Sequence, residues 1–263
     1  MDHMRVCVIL PAAGKSTRFG SDKLGQDLGG RPLLLRTVEP FTRRDEVRSI
    51  IVAAPPDTID DFRNRFGAQL GFHGVRIIPG GVAERWETVR NALAEVPDDC
   101  THVAIHDAAR PGASDELLQR VFEAALVSDA VVPGIPVADT LKRVTTERFS
   151  SAPFDDAAEA ILGEAGRDRA TAPAVEATIA RERLFAVQTP QVFAVALLRR
   201  AYAAPDLSGV TDDSMLVERL GERVLVVEGE TRNLKITTPE DLDLIRQVLG
   251  FRPPTERPVH KRF

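Results

Sequence analysis

The sequence predicts an α/β protein built on a doubly wound, mostly parallel sheet, and three observations carry that reading. Short β-branched apolar runs recur along the chain, too short for helices and apolar on both faces. Segments with helical, 3.6-residue periodicity separate them. Strand–helix–strand alternation of this kind requires crossover connections, which are right-handed in parallel sheets. The first strand is expected from Val6 to Leu10, the second from Ser49 to Ala54 and the third from Val75 to Ile78. A helix follows, with Trp86, Val89, Leu93 and Val96 on one face after a Gly-Gly start. The fourth strand runs from His102 to His106, and Leu117, Leu118, Val121, Phe122 and Ala125 form the face of the next helix. Ala130 to Val132 and Val224 to Val227 read as further strands, and Leu234 to Ile236 as a last short one. Thr238-Pro-Glu-Asp241 opens the final helix with a Thr cap and a Pro in its first turn.

Two stretches break the pattern. Residues 145–177 are rich in Ala, Pro and acids with weak periodicity, and read as an excursion from the sheet with one short helix around Ala157 to Glu164. Residues 251–263 are Pro-rich and basic, and are expected to form a flexible C-terminal tail. The expected organisation is one domain over residues 1–250, with an arm at about 138–183.

Composition excludes several function classes. A net charge of −5 leaves no basic character to hold a nucleic-acid backbone. No apolar run approaches the ~20 residues a membrane helix needs, and the start lacks a secretory pattern. A soluble, cytoplasmic protein is therefore expected. Cys7 and Cys100 are too few for a disulfide framework or a four-ligand zinc site, and read as buried small hydrophobes. Of 34 basic residues only Lys15, Lys23, Lys142, Lys235 and Lys261 are lysine. In so Arg-rich a chain, a lysine hints that a compact ammonium rather than a planar fork is wanted.

The chemistry-bearing motifs lie after the predicted strands. Leu10-Pro-Ala-Ala-Gly-Lys-Ser-Thr-Arg-Phe-Gly20 contains Gly14-Lys15-Ser16 but lacks the earlier Gly of a P-loop, and no dinucleotide fingerprint is present. What remains is a small-residue turn that lets backbone N–H groups approach phosphate, with Arg18 and Lys23 close behind. An ordinary tight turn fits that segment equally well. Ile105-His-Asp-Ala-Ala-Arg-Pro111 places Asp107 at the carboxyl edge of the sheet, where such folds bind ligands. There a carboxylate suits magnesium shared with phosphates, and Arg110 suits a second phosphate; an Asp–Arg pair that merely closes a loop is the plain alternative. Strand alternation turns His106 away from Asp107, toward a structural role. Gly80-Gly-Val-Ala-Glu-Arg-Trp-Glu-Thr-Val89 could contact a ribose or base through its Gly pair and Thr88, or be a flexible loop before a helix. Asn233-Leu-Lys-Ile-Thr-Thr-Pro-Glu-Asp241 presents Lys235, and Leu184-Phe-Ala-Val-Gln-Thr-Pro-Gln191 presents Thr189.

Taken in order, these blocks resemble the 2-C-methyl-D-erythritol 4-phosphate cytidylyltransferase family. Pro136-Val-Ala-Asp-Thr-Leu-Lys-Arg143, Thr189-Pro-Gln191 and Thr211-Asp-Asp213 join the resemblance, which runs from about Val6 to Leu249. The His-Asp-Ala-Ala-Arg-Pro block is the most specific. The resemblance implies a Rossmann-like nucleotidyltransferase fold, with Ala12, Ala13, Gly14, Gly81, Thr88, Asp107 and Ala108 contacting CTP. It implies that Arg18 and Lys23 stabilise the triphosphate as it reacts, and that Asp107 holds Mg2+ arriving with CTP. Arg110, Thr140 and Thr189 would contact the polyol phosphate, with Arg181 and Lys235 acting in the same pocket and Thr140 and Arg181 coming from the partner subunit of a homodimer. Ser16, Asp22, Thr88 and Arg232 depart from the usual pattern, and the excursion is longer than the family's arm.

The expected reaction is attack by a phosphomonoester oxygen on the α-phosphorus of CTP, with pyrophosphate leaving. Positioning and electrostatics carry such a transfer, so neither a nucleophilic side chain nor a general base is required. Two rivals stand beside it: a cytidylyltransferase for another polyol phosphate such as ribitol 5-phosphate, and a non-catalytic nucleotide-binding regulator. The regulator would have lost Arg18, Lys23, Asp107 or Lys235, and all four are present.

Overall fold

The computed structural model describes residues 4–14, 19–20, 22–150 and 171–251. The chain forms two compact units, Met1–Ile135 with Val187–Phe263, and Pro136–Ala186. The first unit opens with β1 (Val6–Pro11), α1 (Leu33–Val38), β2 (Val47–Ala54), α2 (Ile59–Phe72) and β3 (Arg76–Pro79). It continues through α3 (Arg85–Ala94), β4 (His102–Ile105), α4 (Asp115–Ala125) and β5 (Ala130–Pro136). The second unit carries β6 (Leu141–Ser150) and β7 (Thr171–Ile179), and β8 (Phe185–Val187) follows them. The first unit then resumes with β9 (Gln191–Ala194), α5 (Val195–Tyr202), α6 (Asp213–Arg219), β10 (Leu225–Glu228) and α7 (Pro239–Val248).

The main sheet has the order β10-β5-β9-β4-β1-β2-β3. β1 pairs in parallel with β2 and β4, β2 with β3, and β10 with β5. The sheet is mixed rather than wholly parallel, because β9 runs antiparallel to both β4 and β5. β1 is central and covered on both faces, so its alternation divides the core. Val6, Val8 and Leu10 face a cluster with Leu34, Phe41, Leu117 and Ile245. Cys7 and Ile9 face another with Val89, Leu93, Leu198 and Val217. Both cysteines are buried and free, as small hydrophobes in a strand and a turn.

This register positions the site. Ile9 stands level with Ile105, and Ala54 with Pro79, so β1, β3 and β4 release their following turns at one edge. Two backbone bonds fix those turns: Ala12 N–H donates to Ala53 O at 2.8 Å, and Gly80 N–H to Ala54 O at 2.7 Å.

Two sequence expectations are corrected. Leu234 to Ile236 is not a strand; Ile236 N–H donates once, to the Ala109 carbonyl at 2.9 Å, and no ladder forms. The excursion at 145–177 is largely strand at its two ends: β6 and β7 pair antiparallel from Leu141↔Ile179 to Ser150↔Thr171. The helix expected around Ala157 to Glu164 lies outside the described residues, as does the tail from residue 252. Where the described chain ends, the Phe251 ring lies 4.7 Å beneath the Arg36 guanidinium.

Candidate active site

The turns after β1, β3 and β4 enclose a cleft of about 450 Å3 in the first unit. Ala12, Ala13 and Gly14 line it from the first turn, Gly81 and Thr88 from the second, and Asp107 and Ala108 from the third. Lys23 and Lys235 complete the wall. Nine residues singled out in the sequence therefore meet in one place. The close approach of the turns dictates glycine at two of them: a Cβ on Gly80 would lie 2.8 Å from Ala13 Cβ, and one on Gly81 2.8 Å from Thr88 N. No side chain fits at either position.

Asp107 is the electrostatic centre of the cleft. Its Oδ2 lies 3.0 Å from Arg110 Nε and 3.1 Å from Lys235 Nζ, and its Oδ1 lies 3.9 Å from Arg85 Nη2. Burial pushes the Asp107 carboxyl up, but Lys235, Arg85 and Arg110 together hold it well below the usual carboxylate range. The group is thus ionised at any physiological pH. Arg110 is fixed in turn, since Nη1 donates to the Asn233 carbonyl at 2.8 Å. Lys23 Nζ donates to the Ile236 carbonyl at 2.9 Å, so both lysines rest on the segment between β10 and α7.

Behind Asp107 runs a chain of hydrogen bonds. Asp107 N–H donates to Thr189 Oγ1, the Thr189 hydroxyl donates to His106 Nδ1, and His106 Nε2–H donates to the Arg110 carbonyl, each at 3.0 Å. A carbonyl only accepts, which assigns the proton to Nε2. His106 is fully buried, and that burial pushes its imidazole down to about 4. The Thr189 hydroxyl thus bridges the Asp107 amide and the His106 ring, and it does not line this cleft.

Arg18 lies outside the described residues. Thr140 and Arg181 belong to the second unit, where Thr140 is exposed and Arg181 Nη1 donates to the Ala138 carbonyl. Sequence reasoning missed Arg85, which lines the cleft from the start of α3. Its guanidinium lies 2.7 Å from Asp213 Oδ2, and Asp213, fully buried, also accepts from the Tyr202 hydroxyl at 2.5 Å. A signal was present, since an Arg in the Gly-rich block and an Asp pair in Thr211-Asp-Asp213 were both visible. Nothing in the sequence links the two.

Among the described residues no group of three or more His, Cys, Asp or Glu side chains could hold a metal by itself. One ionised carboxylate facing a cleft of that volume nevertheless fits a hard cation that brings most of its oxygen ligands with a nucleotide.

A mixed α/β sheet whose edge turns close on a cationic, glycine-lined cleft is the architecture of a nucleotidyltransferase. The comparisons with known proteins agree and are more specific. The chain belongs to the 2-C-methyl-D-erythritol 4-phosphate cytidylyltransferase family, which residues 6–156 and 160–250 match. A 2-C-methyl-D-erythritol 4-phosphate cytidylyltransferase of Frankia casuarinae is 41% identical over 255 residues, covering 96% of this chain and 84% of that protein. The crystal structure of the Thermus thermophilus enzyme of that name is 35% identical with a TM-score of 0.68, covering 94% of this chain and all of its own. A 4-diphosphocytidyl-2C-methyl-D-erythritol synthase from Anaerococcus prevotii superposes with a TM-score of 0.71 at 28% identity, over 95% of this chain.

Proposed function

We infer that this chain transfers the cytidylyl group of CTP to 2-C-methyl-D-erythritol 4-phosphate, giving 4-diphosphocytidyl-2-C-methyl-D-erythritol and pyrophosphate. The observation that carries the reading is the convergence of the small-residue turn, the Gly81–Thr88 loop and the Asp107 cation cluster on one cleft, in a member of this family. The substrate phosphate is anionic and already nucleophilic, so the chain's task is to align it with the α-phosphorus and offset the growing charge. Lys23 and Arg18 meet the triphosphate; Arg110 and Lys235, both held by Asp107, meet the incoming phosphate. Arg85 stands between the base-contacting loop and Asp107, and Asp213 keeps its fork in place. Asp107, with phosphate oxygens, would hold Mg2+, whose chemistry is to neutralise charge on the triphosphate.

The second unit supplies the remaining contacts, Thr140 and Arg181, to a neighbouring copy in a homodimer. Support for pairing comes from the hairpin itself, where Leu141, Val144, Phe149 and Val175 are all exposed on two strands. No described helix is long and apolar enough to cross a membrane, in keeping with a cytoplasmic enzyme.

The test is pyrophosphate release from CTP with a panel of polyol phosphates. The methylerythritol phosphate is expected to be the preferred acceptor; a preference for ribitol 5-phosphate would move the assignment. The reaction is expected to stop with EDTA and return with magnesium. Full activity in metal-free buffer would remove Asp107 from metal binding.

A further inference from the structure

Arg85 stands between two carboxylates and lies nearer the one that does not line the cleft. Its Nη2 is 2.7 Å from Asp213 Oδ2 and 3.9 Å from Asp107 Oδ1. Asp213 is the more deeply buried of the two, so with no water to solvate it its charge depends on the guanidinium. The Tyr202 hydroxyl donates to its other oxygen, Oδ1, at 2.5 Å. Asp213 is itself pinned from the sheet. Asp212 caps α6 by accepting from the Met215 amide at 3.1 Å, and Gln191 of β9 donates to Asp212 Oδ2 at 2.7 Å. Gln191 also accepts from the Ser214 amide at 3.1 Å and pairs across the sheet with Ile105, two residues before Asp107. The two carboxylates are thus set on one framework with Arg85 between them. Burial pushes the guanidinium down, but Asp213 first and Asp107 after it hold it well above the ordinary arginine value.

The consequence falls on Asp107. Its Oδ2 is taken by Arg110 Nε and Lys235 Nζ, at 3.0 and 3.1 Å. Its Oδ1 has no donor within hydrogen-bond distance among the described residues, yet it is not a sealed-off atom, and Asp107 lines the cleft. Oδ1 is therefore an open acceptor at the wall of the site. A guanidinium released from Asp213 would close on it, since the two groups are already within 3.9 Å. We propose that Asp213 is a positioning residue for the CTP site: by retaining Arg85 it keeps Asp107 Oδ1 open as an acceptor for the incoming nucleotide and its cation. The inference rests on the CTP reading given above. Asp213 does not line the cleft and acts only through Arg85. Oδ2 keeps its partners in either case, so Arg110 and Lys235 remain aimed at the second substrate.

The test sets Asp213→Asn, Tyr202→Phe and the double variant Asp213→Asn with Arg85→Gln beside the parent enzyme. Calorimetric binding of CTP in magnesium buffer needs no turnover, and steady-state kinetics then separates the two KM values. In Asp213→Asn the released guanidinium closes on Oδ1. The dissociation constant and KM for CTP are expected to rise about tenfold, the loss of one hydrogen bond, while the KM for the polyol phosphate changes by no more than about twofold. Removing Arg85 as well reopens the oxygen, so the double variant is expected to regain about threefold or more of that affinity, a non-additive result. Tyr202→Phe disturbs the same buried cluster but leaves the ion pair. It is expected to melt at a lower temperature, with CTP affinity within about twofold of the parent. Should Asp213→Asn not fold, Asp213→Ser replaces it in both comparisons. A double variant that binds CTP no better than Asp213→Asn overturns the proposal, as does parental affinity in Asp213→Asn itself. So does a Tyr202→Phe protein that loses as much affinity as Asp213→Asn, because the effect would then be local destabilisation. A parent enzyme that binds no CTP overturns the CTP reading instead, and does so before any variant is compared.

Discussion

Lys23 shows what a single residue contributes beyond its charge. It follows the small-residue turn, lines the cleft, and is aimed by the Ile236 carbonyl 2.9 Å from its ammonium. Removing one such preorganised donor costs ~2.7–4 kcal/mol of transition-state stabilisation, or ~10²–10³ in turnover. Lys23→Ala is expected to lose turnover by that factor while remaining folded; near-parental turnover of the purified variant would remove the lysine from the mechanism. His106 makes a different prediction. Its imidazole is held near 4 by burial against an ordinary 6.5, so as pH falls through that window the unfolded chain takes a proton that the folded one refuses. Stability is unaffected above the window and declines within it, by up to about 3 kcal/mol at about 1.4 kcal/mol per unit. Urea denaturation as a function of pH reads this directly. In His106→Gln, less stable at neutral pH, the slope should shrink; an unaltered slope assigns it to other groups, His102 among them. Most cleft residues were legible in sequence because each sits in a local block after a strand. Arg85 was not, because its meaning comes from Asp213, which only folding brings within 2.7 Å.

Elements were legible where burial is one-sided or complete. The runs from Val6 to Leu10 and from Ser49 to Ala54 announce strands because both sheet faces are covered. β6 and β7 gave no such signal: most of their residues are exposed, so no alternation between core and solvent is imposed on them. β9 hides between two motifs, a four-residue strand whose antiparallel direction nothing local encodes. The final helix was readable from its cap alone, and the structure shows why the cap matters. Thr238 Oγ1 accepts from Asp241 N at 3.4 Å, while Asp241 Oδ2 accepts from the Thr237 amide and hydroxyl at 2.7 Å and from the Thr238 amide at 2.9 Å. The bonds of this capping box anchor the segment that carries Lys235 at its helix end. Thr238→Ala is expected to cost about 1 kcal/mol in chemical denaturation, with Thr238→Ser restoring most of it. Turnover should change little, because Ile236 and Asn233 still fasten the segment from the other side. A Thr238→Ala protein as stable as the parent would show that the cap bond is replaced by water without loss.

At the scale of the whole molecule, the residues proposed for the reaction fall in two compact units. Those proposed to contact CTP, with Asp107, lie in the first, and Thr140 and Arg181 in the second. A guanidinium fork suits a terminal phosphate better than an ammonium does, which gives Arg181 a task at the polyol phosphate rather than at CTP. Arg181→Ala is therefore expected to raise the KM for the polyol phosphate much more than that for CTP. If the hairpin unit serves a neighbouring copy, Arg181→Ala and Asp107→Ala subunits should complement each other. Each is inactive or impaired alone, but a mixed dimer holds one pocket with both residues intact. Kinetics on mixtures, with subunit exchange confirmed by mass spectrometry of differently tagged chains, reads that recovery. Activity regained to a fraction of the parent level supports a shared pocket. Exchange without any recovery, or an active species that sediments as a monomer, would confine Arg181 to its own chain and end the case for a pocket built from two subunits.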